Sequence, residues 1–281
     1  MNPTSHATPC QGRRPDIYLV GTGILGVWQL TREAEACLAE SRKVFLVDAT
    51  YGVAEHIESL GAEVINLLPE YVEGGSRIDT YRTMAARALD AALDTPPVSL
   101  AVYGHPSLLV YPTSLVRKAA RHLGLVVHTV PGISSIDTML IDLDLDPGLN
   151  GLQIYEANTL IVEDRPIDVE VPCLLLQVDA IETAFHTANP SRPSRFRRLV
   201  DHLLRFYPPE HEVINVRSSS FPIFAPELVS FPLAELGEQF ATKHLGGTVY
   251  IPKLHEPSYA EDLVRNIFDP LHLNRITLPL G

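Results

Sequence analysis

The sequence predicts an α/β protein with two domains, a mostly parallel sheet in the first and a mixed sheet in the second. Three observations carry this. Short apolar runs occur without polar alternation, helical segments sit between them in the first half, and the rhythm changes at Pro131-Gly132. Parallel strands are buried on both faces and read as continuous apolar runs. Strands that alternate with helices build βαβ units.

The elements follow in order. DIYLVG at 16–21 is a short apolar run that ends in glycine, a buried strand. Residues 31–40 read as a helix, and KVFLVD (43–48) and EVINL (63–67) as the next strands. YRTMAARALDAAL at 81–93 is rich in strong helix formers. VSLAVYG (98–104) is a strand. The helix at 113–123 puts Leu115, Ala119 and Leu123 on one face, and 125–130 is a strand. Beyond Pro131, strand-like runs lie at 153–156, 171–178, 211–216 and 248–252, with helices at 134–141 and 194–206 and a loop at 189–194. One further helix is expected at 259–268. This divides the chain into a flexible tail (1–15), an N-terminal α/β domain (16–131), a C-terminal α/β domain (132–253) and an arm (254–281). The arm is expected to pack on the body or on a partner subunit.

Composition narrows the function. The chain has 281 residues, 46% of them hydrophobic, with 22 Lys and Arg against 34 Asp and Glu, a net charge of −12. That balance argues against binding to nucleic acid, which relies on phosphate neutralisation, and to an anionic membrane surface. A local basic site remains compatible with it. Cys10, Cys37 and Cys173 form no CxxC pair and, being odd in number, no disulfide framework. The first fifteen residues lack the apolar run of a secretory signal, and no apolar stretch is long enough to span a bilayer. A cytoplasmic protein is expected. The eleven histidines show no metal-ligand spacing, and no metal is expected.

Two glycine-bearing strand ends compete for the site. GTGILG places Gly21, Gly23 and Gly26 after a strand, and Asp48 ends the next one. This is the spacing of a dinucleotide-binding unit, with glycines approaching a pyrophosphate and a carboxylate taking a ribose hydroxyl. The bulky Val27, Trp28 and Gln29 that follow are a poor helix start beneath a phosphate, and the alternative is a plain tight turn bordering an acceptor cavity. Trp28 is expected in the core.

The second strand end is YGHPSLLVYPT, residues 103–113, which bends at Gly104 and Pro106 and re-enters a helix. Loops at the carboxyl ends of parallel strands bind ligands. PGISSID at 131–137 follows, with serines placed to cap a helix. YGHP, PGISSID, DLDLDPG and YEA, in that order between Ile17 and Pro252, resemble the tetrapyrrole-methylase superfamily. Within it they are most similar to the borosin-type peptide backbone N-methyltransferases. Most of that superfamily has an acidic residue where this chain has His105, and GHP is usual in the peptide-methylating branch.

The resemblance implies a two-domain fold that binds S-adenosylmethionine (SAM) in a cleft, and a homodimer. It implies SAM contacts from Gly104, His105, Pro106, Ser107, Leu109 and Val110, from Ser134 and Ser135, and from Gln177, Val178, Gly247 and Thr248. It assigns catalysis to Arg77, Tyr81, Tyr103 and Tyr71. Arg77 and Tyr81, four residues apart, would share a helix face. An amide nitrogen is a poor nucleophile because its lone pair is delocalised. Arg77 can stabilise the imidate-like oxygen, and Tyr81 or Tyr103 can accept the proton. Some members carry their substrate fused at the C-terminus. Here the stretch beyond Pro252 is short, so a separate precursor peptide is expected, with self-methylation of the apolar end at 276–281 as the other outcome.

The readings that stand beside this one are C-methylation of a tetrapyrrole ring, NAD-dependent oxidoreduction on Gly21–Gly26 and Asp48, and SAM binding without turnover. For single residues, His105 is expected to shape its loop, Glu156 to accept structural hydrogen bonds, and Asp137 to sit in a helix first turn. The basic run at 192–198 is expected to be a solvated helix start or a holder of an acidic leader peptide.

Overall fold

A computed structural model describes residues 14–243 and 245–278. Most of the expected tail, and residues 279–281 of the apolar end, lie outside the described residues.

The first half forms a five-stranded sheet from β1 (Ile17–Gly21), β2 (Lys43–Val47), β3 (Glu63–Asn66), β4 (Val98–Val102) and β5 (Val127–Val130). The order is β3-β2-β4-β1-β5 and every pairing is parallel. Successive residues of β1 face opposite ways. Ile17 and Leu19 join a core with Met84, Leu89 and Val116, while Tyr18 and Val20 join another with Leu38, Val53 and Ile57. Burial on both faces is the physical reason for the unbroken apolar runs.

The second half holds β6 (Gln153–Glu156), β7 (Cys173–Leu176), β8 (Glu212–Arg217), β9 (Glu227–Pro232) and β10 (Thr248–Ile251). Their order is β6-β7-β10-β8-β9, parallel only between β6 and β7. The expected change from parallel to mixed sheet is therefore present.

Several elements differ from expectation. The helix expected at 81–93 runs Arg77–Asp94, because Ser76 caps it by accepting from the Asp79 amide at 3.3 Å. The edge strand β9 carries only one buried residue, Phe231, so its sequence lacks a two-residue apolar rhythm. Short helices at Val53–Ser59, Ala157–Val162, Leu236–Thr242 and Pro270–Ile276 were also not expected. Trp28 is not core. The Gly26–Gln29 turn sends Gln29 inward and leaves the indole 80% exposed.

The two halves are joined by main chain as well as side chains. Gly74 N–H donates to His186 O at 2.8 Å, His186 N–H to Gly75 O at 2.8 Å, and Arg77 N–H to Ala184 O at 2.9 Å. Leu108, from the loop after β4, packs on a cluster of Met139, Leu174, Leu176 and Val216. The start of the Arg77–Asp94 helix is thereby fixed to the segment after β7, and the loop after β4 to the second sheet.

Candidate active site

Three parallel strands end side by side in main-chain contact. A Cβ on Gly21 would lie 2.5 Å from Gly104 O and 2.7 Å from Gly132 N, and one on Gly132 would lie 2.4 Å from Gly104 O. Gly23 and Gly104 exchange hydrogen bonds at 3.3 and 2.9 Å. The glycine fingerprint is thus spent on packing backbone against backbone. The amides of Ile24 and Leu25, which a pyrophosphate would need, both donate to Gln29 Oε1, at 2.7 and 3.0 Å. Asp48 is buried and accepts from Thr22 Oγ1 at 2.5 Å and the Thr50 amide at 2.7 Å. Both halves of the dinucleotide signature have partners within the chain.

The loop after β4 forms the wall of two adjoining cavities. One, of about 370 Å³, is lined by Arg77, Tyr81, Ser107, Leu109, Val110 and Gln177, among others. Its neighbour, of about 300 Å³, is lined by Tyr71, Tyr81, Tyr103, Gly104, His105, Leu109, Val110, Ser135 and Gln177, among others. Tyr81, Leu109, Val110 and Gln177 belong to both. Leu109 and Gln177 adopt φ of 55° and 57°, a left-handed backbone that costs free energy in a residue with a side chain. Both of these residues line both cavities.

All four expected catalytic residues lie on this wall system. Arg77 Nη2 donates to Thr183 O at 2.7 Å and to Ala180 O at 3.3 Å, while its Nε is buried without a partner. The guanidinium therefore clamps the segment after β7 as well as facing the cavity. Tyr71 and Tyr81 meet edge to face at 6.2 Å, and Tyr81 meets Tyr111 at 6.1 Å. Burial pushes the Tyr71 hydroxyl well above the ordinary phenol value, Tyr81 adds to the rise, and Arg77 opposes it. Burial also raises Tyr103, helped by the Asp48 charge and opposed by a hydrogen bond with Ser220.

Of the expected SAM contacts, Gly104, His105, Ser107, Leu109, Val110, Ser135 and Gln177 line one or both cavities. The other five do not line either. Pro106 is buried and its carbonyl accepts from Thr113 Oγ1 at 2.5 Å. Ser134 is committed to a capping box with Asp137. Val178 is fully buried, Gly247 donates its amide to Asp179, and Thr248 is paired in β10. His105 Nδ1 accepts from the Ser107 amide at 3.1 Å, the loop-shaping role expected of it. Glu156 caps the Ala157–Val162 helix. Arg195 is not simply solvated, since its Nε donates to Ile181 O at 2.8 Å.

Sequence reasoning passed over Tyr111, Ser114, Thr183 and Ala184 in the first cavity and Ser220 beside Tyr103. Tyr111 and Ser114 stand at the end of the YGHP string, so its register could have found them. Ser220 comes from a loop more than a hundred residues away that carries no motif.

Comparisons with known proteins bear on the family and the fold. Residues 16–222 match the profile of the tetrapyrrole (corrin/porphyrin) methylases. The chain belongs to that family. Among curated relatives it is 30% identical over 257 residues to a methyltransferase/ribosomally synthesized cyclic peptide dendrothelin A precursor of Dendrothele bispora, covering 91% of this chain and 62% of that one. It is 32% identical over 222 residues to a methyltransferase/type I borosin cyclic peptide precursor of Coprinopsis marcescibilis, covering 78% of this chain and 57% of that one. The chain thus spans about three fifths of these relatives' length. In fold it is similar to uroporphyrin-III-C-methyltransferase of Thermus thermophilus, with a TM-score of 0.59 at 18% identity over 84% of this chain and 91% of that one.

Proposed function

We propose that this chain is a SAM-dependent methyltransferase that modifies backbone amide nitrogens of a ribosomal precursor peptide. The observation that carries the reading is the meeting of Arg77, Tyr71, Tyr81 and Tyr103 with the 104–110 loop and Gln177 around two joined cavities. The printed descriptions of the relatives, methyltransferases fused to ribosomal peptide precursors, support the peptide as acceptor.

The residues present suit the donor. Gly104, held by hydrogen bonds with Gly23, offers bare main chain, and the strained Leu109 and Gln177 offer a fixed wall. Gly104, His105, Ser107, Leu109, Val110, Ser135 and Gln177 would hold it, with Pro106, Ser134, Val178, Gly247 and Thr248 supporting the wall from behind. Bound SAM supplies an electrophilic methyl group on a cationic sulfonium.

The chain's own residues must then activate an amide. Arg77 is a permanent cation with an unpaired buried N–H, suited to an imidate oxygen. Burial keeps Tyr71 and Tyr103 protonated at neutral pH, so no phenolate stands ready. Burial and Tyr81 raise Tyr71 by more than Arg77 offsets, and burial and Asp48 raise Tyr103 against its hydrogen bond with Ser220. Tyr81 or Tyr103 therefore relays the amide proton, its hydroxyl oxygen taking that proton as its own hydroxyl proton passes to water, while Arg77 holds the imidate oxygen. A third cavity of about 420 Å³, lined by Tyr51, Leu68 and Phe221, shares Val47 and Tyr103 with the second and gives an acceptor side chain room.

We place the boundary of two domains at Pro131-Gly132, and a homodimer and a cytoplasmic location complete the proposal. No helix among the described residues is long and apolar enough to cross a membrane. Mass spectrometry of a precursor-like peptide incubated with enzyme and SAM tests the function. Methyl-sized additions on backbone nitrogens are expected, and Tyr81→Phe is expected to abolish them while S-adenosylhomocysteine still binds. A fully active Tyr81→Phe contradicts the assignment, and methylation of a tetrapyrrole in place of the peptide contradicts the acceptor.

A further inference from the structure

The helix Tyr111–Leu123 begins in the wall of the first cavity with Tyr111 and Ser114. One turn further on, Arg117 donates to Ser107 Oγ at 3.4 Å and to Ser114 Oγ at 3.2 Å, and both serines line that cavity. Arg117 is half-buried, and among the described residues the one charge that perturbs it is the like charge of Arg121. Burial first, and then Arg121, push its pKa down. Lys118 and His122 extend the same basic surface on the helix.

This is unusual for a chain whose acids outnumber its bases by 34 to 22. A partly desolvated guanidinium beside a second one costs free energy unless an anion answers it. The two serine hydroxyls tie its Nη1 and Nη2 to the edge of the cavity they line and leave further N–H donors in a planar fork, which matches a carboxylate bidentately.

We infer that Arg117, held by Ser107 and Ser114 at the rim of the first cavity, is the receptor for a ligand carboxylate. The inference rests on the methyltransferase reading, because two acids then reach this rim. One is the amino-acid end of the methyl donor and the other is an acidic side chain of the peptide acceptor.

Titration calorimetry with S-adenosylhomocysteine and with methylthioadenosine, which lacks the carboxylate, separates them. Arg117→Gln is expected to weaken S-adenosylhomocysteine by about tenfold or more and to leave methylthioadenosine unchanged. If S-adenosylhomocysteine is unaffected, the peptide source predicts a raised KM for an apolar peptide bearing one Glu, and an unchanged KM for its Gln counterpart. Lys118→Gln should alter neither. Should Arg117→Gln fail to fold, Arg117→Lys, which keeps the charge but loses the fork, is expected to show the same selectivity at smaller size. Unchanged constants for both carboxylate ligands overturn the inference, as does an equal loss with Lys118→Gln. A wild-type chain that takes up no S-adenosylhomocysteine contradicts the methyltransferase reading itself.

Discussion

Arg77→Ala tests whether one guanidinium both shapes the site and ties the two sheets together. The side chain donates to Thr183 O at 2.7 Å and, more weakly, to Ala180 O at 3.3 Å. A hydrogen bond from a charged donor contributes about 1.5–3 kcal/mol. Taking the short bond near the middle of that range, and letting water replace the long one, gives a loss of roughly 2 kcal/mol. In a chain of this size that lowers Tm by roughly 4–8 °C. Urea denaturation measures the free energy, and calorimetry the binding of S-adenosylhomocysteine. Binding is expected to weaken too, because Gln177, Thr183 and Ala184 share the cavity wall that Arg77 clamps. Arg77→Lys keeps the charge and is expected to recover only part of either quantity. An Arg77→Ala protein with unchanged stability and unchanged binding refutes the clamp.

Three further outcomes follow from the geometry. Gly21→Ala puts a methyl 2.5 Å from Gly104 O and is expected to cost about 1–3 kcal/mol by overpacking, read as a lowered denaturation midpoint. Gln29→Ala unpairs the amides of Ile24 and Leu25 and is expected to cost about 1–3 kcal/mol without creating NAD affinity; a gain of NAD binding would reopen the dinucleotide reading. Burial raises Cys173 from the ordinary thiol value of 9.0 to about 12, and raises Cys37, helped by Glu33 and Glu40, to about 11. Both thiols are stable only when neutral, so their contribution is complete below pH 9.0 and is lost as pH climbs toward 11 and 12. Native protein near neutral pH is therefore expected to resist thiol reagents at both positions, and rapid labelling of either contradicts the burial.

Much of this was legible in the sequence, and for identifiable reasons. Strands buried on both faces announce themselves as unbroken apolar runs, so β1, β2 and β4 were found close to their observed bounds. The YGHP loop was legible because glycine and proline fix a turn locally. β9 was not, because an edge strand with one buried residue has no apolar period to read. Trp28 misled because large aromatics are usually buried, whereas the adjacent Gln29 turned inward to serve two amides. Arg77 and Tyr81 were found as a helix pair, but the grip of Arg77 on Ala180 and Thr183 joins segments a hundred residues apart, and no local pattern encodes it. For the same reason Ser220 beside Tyr103 escaped notice.

A crystal structure of the full chain with S-adenosylhomocysteine is the most direct test. The account predicts the ligand along the 104–110 loop and Gln177, with its thioether sulfur turned toward Tyr81 and Arg77. A ligand seated on the Gly21–Gly26 turn, or a thioether turned away from the tyrosines, would contradict it.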